Sequence, residues 1–303
     1  LKDERRLISK ANKLGGTRVF CMSPLDFSIA MRQNFIHFYA AFMYWRYELQ
    51  HAVGIDANGE EWTHFTRQLT QQSSQIIAID YSNFGPAFNA KVAAAASDIM
   101  IAWTLEYVDG VNETELCVLQ AETYQSLHLA ANVVYRQQAG NPSGSPDTTI
   151  ANTIVNQIYI LVAWYSLYPN NDKTKVFDDY FDYVNLFCYG DDLVMAVNKI
   201  VLSWFNGKSI HEFFARYDIV VSASDKMSEI VVASPLTEVT FLKRHWRQHE
   251  LWTGQWHGAL DKVSVEECLL WIWKSDNDKS ATDENCRAAL ELAYSWGSEY
   301  FNE

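Results

Sequence analysis

The chain holds only five cysteines in 303 residues, and no two of them form a CxxC pair: Cys21, Cys117, Cys188, Cys268 and Cys286 are scattered. An odd, dispersed set suits buried free thiols in a reducing compartment better than a disulfide framework or a zinc cluster. No unbroken run of about 18 apolar residues occurs, the best candidate being interrupted by Ser97 and Asp98, so neither a transmembrane helix nor a signal peptide is predicted. Internal repeats, low-complexity tracts and long Pro/Ser-rich linkers are lacking as well. A content of 49% hydrophobic and 14% aromatic residues excludes disorder and predicts a large core. The first residue is Leu1, not Met, as expected of a processed product or a piece of a longer chain. His245 and His249 have helical metal-ligand spacing but no Cys or acidic partner, and they read as surface residues.

Positive charge is also scarce. The net charge of −13 argues at first against a polyanionic partner. The deficit is uneven, however: eight Lys and Arg against four acids leave residues 1–50 at +4, and therefore the remainder at −17. A basic arm joined to an acidic body admits two readings, a solvated amphipathic segment or an arm that draws a polyanion toward clustered carboxylates.

The hydrophobic periodicity predicts helices over residues 26–50 (one or two), 89–108, 148–167, 208–217, 264–274 and 282–301. Strands are predicted over 75–80, 131–138, 183–189, 193–198, 218–222 and 238–246. The loop "AGNPSGSPD" at 139–147 runs into the third helix, with Asp147 placed as its N-cap. Helices interleaved with mostly antiparallel strands make an α+β protein.

Two strand ends carry acids. Asp80 closes "QIIAID", and Asp191 with Asp192 follows Gly190 in "FCYGDD" between two strands. Taken alone, Gly-Asp-Asp is an ordinary hairpin turn. Alternatively, carboxylates gathered from neighbouring strands can bridge a pair of Mg²⁺ ions about 3.5–4 Å apart, an arrangement that serves phosphoryl transfer. A Gly/Ser-rich loop opening a helix adds backbone able to approach a phosphate or a sugar. Together these features suggest nucleotidyl transfer.

In order along the chain, "LKDERR" with "GGTRVF", "IAMRQNFIHFYAAF", "DYSNFG", "GNPSGSPDTTIANTIVN", "YGDD", "SDKM" and "VTFLKR" resemble the RNA-dependent RNA polymerases of picorna-like positive-strand viruses, with wording like that of the iflavirus and dicistrovirus branch. The resemblance implies a right-hand polymerase: a palm of antiparallel sheet backed by helices, partial fingers and a short helical thumb. It implies fingers residues at 1–34, a palm at 35–248 with a fingers insertion at about 90–137, and a thumb at 249–303. Asp80, Asp191 and Asp192 match the metal ligands, for two Mg²⁺ with Mn²⁺ as a substitute. Lys226 matches the proton donor to pyrophosphate. Arg18, with Lys10 or Lys13, matches the triphosphate contacts. Tyr81, Ser143, Thr148 and Asn152 match nucleotide-binding positions, with Thr148 and Asn152 four apart on one helical face. Lys243 and Arg244 match the hairpin that grips the primer. The implied partners are RNA template and primer, NTPs and viral replication proteins, in the host cytoplasm at membrane-associated replication complexes.

One position departs from the family pattern. Where many picornaviral enzymes carry a second Asp that orients the ribose-reading asparagine, this chain has Gly85. Glycine supplies no carboxylate, yet it also places no bulk against a 2′-OH, so ribose is expected to be accepted and read by Asn152 with Ser143 or Asn83. Family members also carry a long segment before "LKDERR", so the fingers are expected to be incomplete here. The rival readings are a reverse transcriptase, opposed by Gly85 and the 143–152 pattern, and a non-catalytic polymerase-like scaffold. Trp246, Trp252, Trp256, Trp271 and Trp273 could serve a scaffold but read more simply as core.

Overall fold

The computed structural model describes residues 8, 12, 16, 20–137, 140–225, 228–272 and 274–303. The elements in chain order are α1 (Leu25–Tyr44), α2 (Glu61–Thr70), β1 (Ile76–Tyr81), α3 (Ala90–Tyr107), α4 (Glu113–Tyr124), β2 (Leu127–Ala130) and β3 (Val133–Arg136). They continue with α5 (Thr148–Leu167), α6 (Val176–Tyr183), β4 (Val184–Tyr189), β5 (Asp192–Val197), α7 (Gly207–Ala215), β6 (Val221–Ala223), β7 (Thr240–Phe241), β8 (Arg244–Gln248), β9 (Trp256–Leu260), α8 (Lys262–Glu267), α9 (Asp278–Tyr294) and α10 (Ser298–Asn302). The α+β class expected from the sequence is observed. Contacts group the chain into two compact units, one of residues 1–49, 83–160 and 189–191, the other of residues 50–82, 161–188 and 192–303.

The first unit is mainly helical. On α1, Met31, Phe35, Phe38, Tyr39 and Phe42 recur at helical spacing and are buried. Phe38 meets Trp103 of α3 edge-on, with ring centroids 5.5 Å apart. On α3 the buried stripe is Ala93, Ala96, Met100 and Thr104, small enough at its start for close helix packing. Asn89 caps α3 by accepting from the Lys91 N–H, and Asn112 caps α4 by accepting from Glu115. The hairpin β2–β3 is exposed along most of its length, and only its second strand was anticipated.

The second unit is built on a four-stranded sheet of order β4-β5-β1-β6, in which β1 runs antiparallel to both of its neighbours. Val184, Leu186, Phe187, Leu193, Val194, Met195 and Ala196 are at most 1% exposed, so these strands are close to continuously apolar. Phe65 of α2 packs on Phe187 at 5.1 Å, and Trp62 packs on Trp246 of β8 at 5.2 Å. The Trp246 indole N–H donates to Thr66 Oγ1 at 3.0 Å, so the buried nitrogen is satisfied.

Several expectations change. The strand expected at 238–246 is a hairpin, β7–β8, because Leu242 and Lys243 both adopt left-handed φ of 55° and 58° and reverse the chain in two residues. The helix expected at 282–301 breaks at Gly297, whose φ is 99°. The one expected near 264–274 shortens to α8. His245 lies on strand β8, so its spacing to His249 is not helical. Of the five free cysteines only Cys188 is buried, while Cys117 and Cys286 are exposed. Trp246 is core as expected, but Trp252 and Trp271 are 59% and 60% exposed, and Trp273 lies outside the described residues. Although no unbroken apolar run exists, α5 is long and apolar enough on average to cross a membrane; 56% of that stretch is buried within the protein, as in a core helix.

Candidate active site

Strand β1 ends in an alternation that sends its acid away from the core. Ile77, Ile79 and Tyr81 are buried, while Asp80 is half-buried. The register pairs Ile79 with Leu193, and continued by one residue it sets Asp80 across from Asp192, the first residue of β5. On its other side Asp80 pairs with Ser222 of β6. Directly opposed residues of antiparallel strands project from the same face with Cβ atoms about 4.5–5.5 Å apart, and like charges so placed repel. The strand order therefore builds a polar row of Asp192, Asp80 and Ser222 on one face of an otherwise apolar sheet. Tyr81 turns the opposite way, and its ring, 5% exposed, packs on Phe214 at 5.7 Å. Only the main chain of Tyr81 is left for a nucleotide.

The turn carrying the exposed Asp191 is held by α5. Gly190 sits at φ 61°, and its N–H donates to Thr153 Oγ1 at 2.8 Å. The Thr153 hydroxyl in turn donates a hydrogen bond to the Thr149 carbonyl at 2.7 Å. Asn156 Nδ2 donates to the carbonyls of Gly190 at 3.1 Å and Asp191 at 3.2 Å. Thr153 and Asn156 are fully buried. The sequence reading did not single them out, although polar residues at 149, 153 and 156 interrupt an apolar helix at helical spacing.

The Gly/Ser-rich loop is fixed by its backbone. Cys21 N–H donates to the Ser143 carbonyl at 2.7 Å, and Gly144, at φ 121°, lies so close that a Cβ there would sit 2.1 Å from the Cys21 oxygen. Thr148 Oγ1 donates to the carbonyls of Ser145 at 2.8 Å and Pro142 at 3.2 Å, which leaves it only lone pairs to offer a ligand. Asp147 occupies the position before α5, and its carbonyl accepts from the Ala151 N–H. Its carboxylate is 1% exposed and accepts from Ser145 at 2.6 Å and Gln120 at 3.4 Å. Burial raises its pKa, and those two bonds oppose the shift. Asn152, half-buried one turn into α5, accepts from Asn141 Nδ2 at 2.7 Å.

Lys243 is exposed at the β7–β8 turn. Arg244 is committed to the fold: its Nη1 donates to the Gly258 carbonyl at 2.5 Å, and burial lowers its pKa while Asp56 opposes this. Asn83 is exposed, with φ 58°. Arg18, Lys10, Lys13 and Lys226 lie outside the described residues. Among the described residues no three His, Cys, Asp or Glu side chains are gathered closely enough to hold a metal ion. Mg²⁺ requires fewer, because it is commonly held by one or two carboxylates while water and substrate phosphates complete its octahedron. Opposed Asp80 and Asp192 supply the hard oxygen donors it prefers, so the residues present fit such an ion.

The chain is 37% identical to the genome polyprotein of Deformed wing virus over 307 residues, covering 100% of this chain and 10% of that polyprotein. It is 32% identical to the replicase polyprotein of Drosophila C virus over 311 residues, covering 99% of this chain and 18% of that one. It thus spans a small part of these relatives' length. The Sicinivirus 3Dpol RNA dependent RNA polymerase superposes with a TM-score of 0.76 at 22% identity, over 92% of this chain and 55% of that one, and so shares the fold. The family model for viral RNA-dependent RNA polymerase matches residues 1–303, and the chain belongs to that family.

Proposed function

We propose that this chain carries the catalytic core of template-directed RNA synthesis in viral genome replication, transferring a nucleoside monophosphate from an NTP to an RNA 3′-OH with release of pyrophosphate. The carrying observation is the pair of acids on neighbouring strands of one sheet, Asp80 on β1 and Asp192 on β5. Such a repulsive pair is retained where cations occupy it. Asp80, Asp191 and Asp192 would hold two Mg²⁺, with Mn²⁺ as a substitute, and the bound ions would neutralise charge developing on the transferred phosphoryl group. The protein's part is positioning. Arg18 and Lys10 hold the triphosphate, Ser143, Thr148 and Asn152 meet the sugar, Lys226 gives a proton to the leaving pyrophosphate, and Lys243 with Arg244 meets the primer backbone. Because Arg244 already serves the Gly258 carbonyl, Lys243 carries more of that last contact.

In this reading residues 1–34 belong to the fingers, 35–248 to the palm with a fingers insertion at about 90–137, and 249–303 to the thumb. RNA, NTPs and viral replication proteins are the partners, and the host cytoplasm, at membrane-associated replication complexes, is the setting. The test is Mg²⁺-dependent UTP incorporation on oligo(U)-primed poly(A) by this chain, by a version preceded by the upstream fingers residues that the resemblance implies, and by that version carrying Asp191→Asn. Incorporation that disappears with Asp191→Asn supports the reading. A folded, extended protein that stays silent with both Mg²⁺ and Mn²⁺ sinks it and favours a scaffold.

A further inference from the structure

Gly85 has no side chain with which to orient Asn152, yet the Asn152 amide is oriented. Asn141 Nδ2 donates to Asn152 Oδ1 at 2.7 Å and lies 3.5 Å from the Thr148 carbonyl. A backbone carbonyl can only accept, so it keeps the Asn141 Nδ2 turned toward α5, and Asn152 must answer with its oxygen. The Asn152 Nδ2 is thereby directed away from Asn141, and among the described residues it has no hydrogen-bond partner.

The cradle for Asn141 is built by the loop that begins at Asn83. Asn141 N–H donates to the Gly85 carbonyl at 2.9 Å, and a Cβ on Gly85 would press to 3.3 Å from the Asn141 carbonyl oxygen. Gly140, at φ 93°, allows the same approach, since a Cβ there would lie 2.9 Å from the Gly85 oxygen. Gln137 Nε2 holds the Gly140 carbonyl at 2.9 Å. Asn141 is 6% exposed, and its Oδ1 is buried with no partner among the described residues. An apolar residue would fill this place without stranding an acceptor, so packing does not account for an asparagine here.

We propose that Asn141 is the positioning residue for ribose recognition, locking the Asn152 amide so that its N–H is presented to the 2′-oxygen of the incoming nucleotide. The glycine at 85 is what lets the Asn141 backbone come close enough to do this. The inference rests on the polymerase reading above. Its consequence is discrimination between ribose and deoxyribose by a donor of fixed direction, because a site built to hydrogen-bond a hydroxyl penalises the analogue that lacks it.

The experiment compares wild type, Asn141→Leu and Asn141→Asp in the extended polymerase, reading kcat/KM for ATP and for 2′-deoxy-ATP on an RNA primer-template and the equilibrium Kd of each nucleotide by calorimetry. Thermal melting reports folding. Asn141→Leu is expected to narrow the ATP to 2′-deoxy-ATP ratio about tenfold, through the ATP term, in both kcat/KM and Kd. Asn141→Asp, whose carboxylate can only accept and so draws the Asn152 Nδ2 to itself and turns the amide round, is expected to narrow the ratio about tenfold as well. A folded Asn141→Leu protein with the wild-type ratio overturns the proposal, as does an equal loss for both nucleotides in both variants, which is the mark of a merely structural role. If Asn141→Leu does not fold, Asn141→Asp decides alone: kept discrimination with retained folding overturns the proposal, and loss of discrimination with retained 2′-deoxy-ATP use supports it. A wild type that neither incorporates nor binds NTPs overturns the polymerase reading, and this inference with it.

Discussion

Single buried polar side chains on or beside α5 decide how the candidate site is held. Asp147 is the sharpest case. Its pKa is raised in the folded protein, with the phenols of Tyr39 and Tyr124 close enough to feel its charge. Above its ordinary value of 3.8 the folded state therefore binds more protons than the unfolded state, and stability falls as pH rises through the folded pKa. Urea unfolding from pH 4 to 8 should show this slope in wild type and a flatter one in Asp147→Asn. Thr153 and Asn156 act on the turn instead. Thr153→Val and Asn156→Leu each leave backbone groups of residues 190–191 without a partner, at about 1–3 kcal/mol. Each should lower the urea midpoint and lower kcat for incorporation with little change in KM for the NTP. None of these three roles could be read from spacing alone, because whether an Asn or Thr on a helix meets solvent, a loop or a strand turn depends on what the chain brings beside it.

Among the elements, the β7–β8 hairpin shows where local sequence signals fail. Type I′ turns favour Asn-Gly because both central residues need positive φ, whereas this chain places Leu242 and Lys243 there. The periodicity of 238–246 consequently reads as one strand. Left-handed backbone costs an ordinary residue about 1–2 kcal/mol, so Lys243→Gly should raise stability by about 1 kcal/mol in urea unfolding. If Lys243 contacts primer phosphate, the same variant should weaken RNA binding and make the salt dependence shallower by about one counterion. The sheet was more legible: "QIIAID", "YVNLFCY" and "LVMAVN" become β1, β4 and β5 within a residue or so, since dense β-branched and aromatic runs leave few alternatives. Helices α2, α4 and α6 were passed over, being shorter and more polar than their neighbours.

At the scale of the whole molecule, the chain carries a net charge of −13, and Asp80 and Asp192 stand on neighbouring strands of one sheet. Adding Mg²⁺ should raise the melting temperature of wild type as binding is linked to folding, and the rise should shrink in Asp80→Asn. Asp80→Asn should also abolish incorporation in the primed poly(A) assay. The family, the α+β class, the two acid-bearing strand ends and the Gly/Ser loop were legible from residues in order, because hydrophobic period and motif spacing are properties of the chain itself. Tertiary structure decided the rest. The strand order β4-β5-β1-β6 set Asp80 opposite Asp192, the strand's alternation turned Tyr81 into the core, and the approach of two loops through Gly85 and Gly140 placed Asn141 on Asn152. Sequence alone could not show these, since each depends on which segments, distant along the chain, pack side by side when the apolar faces are buried.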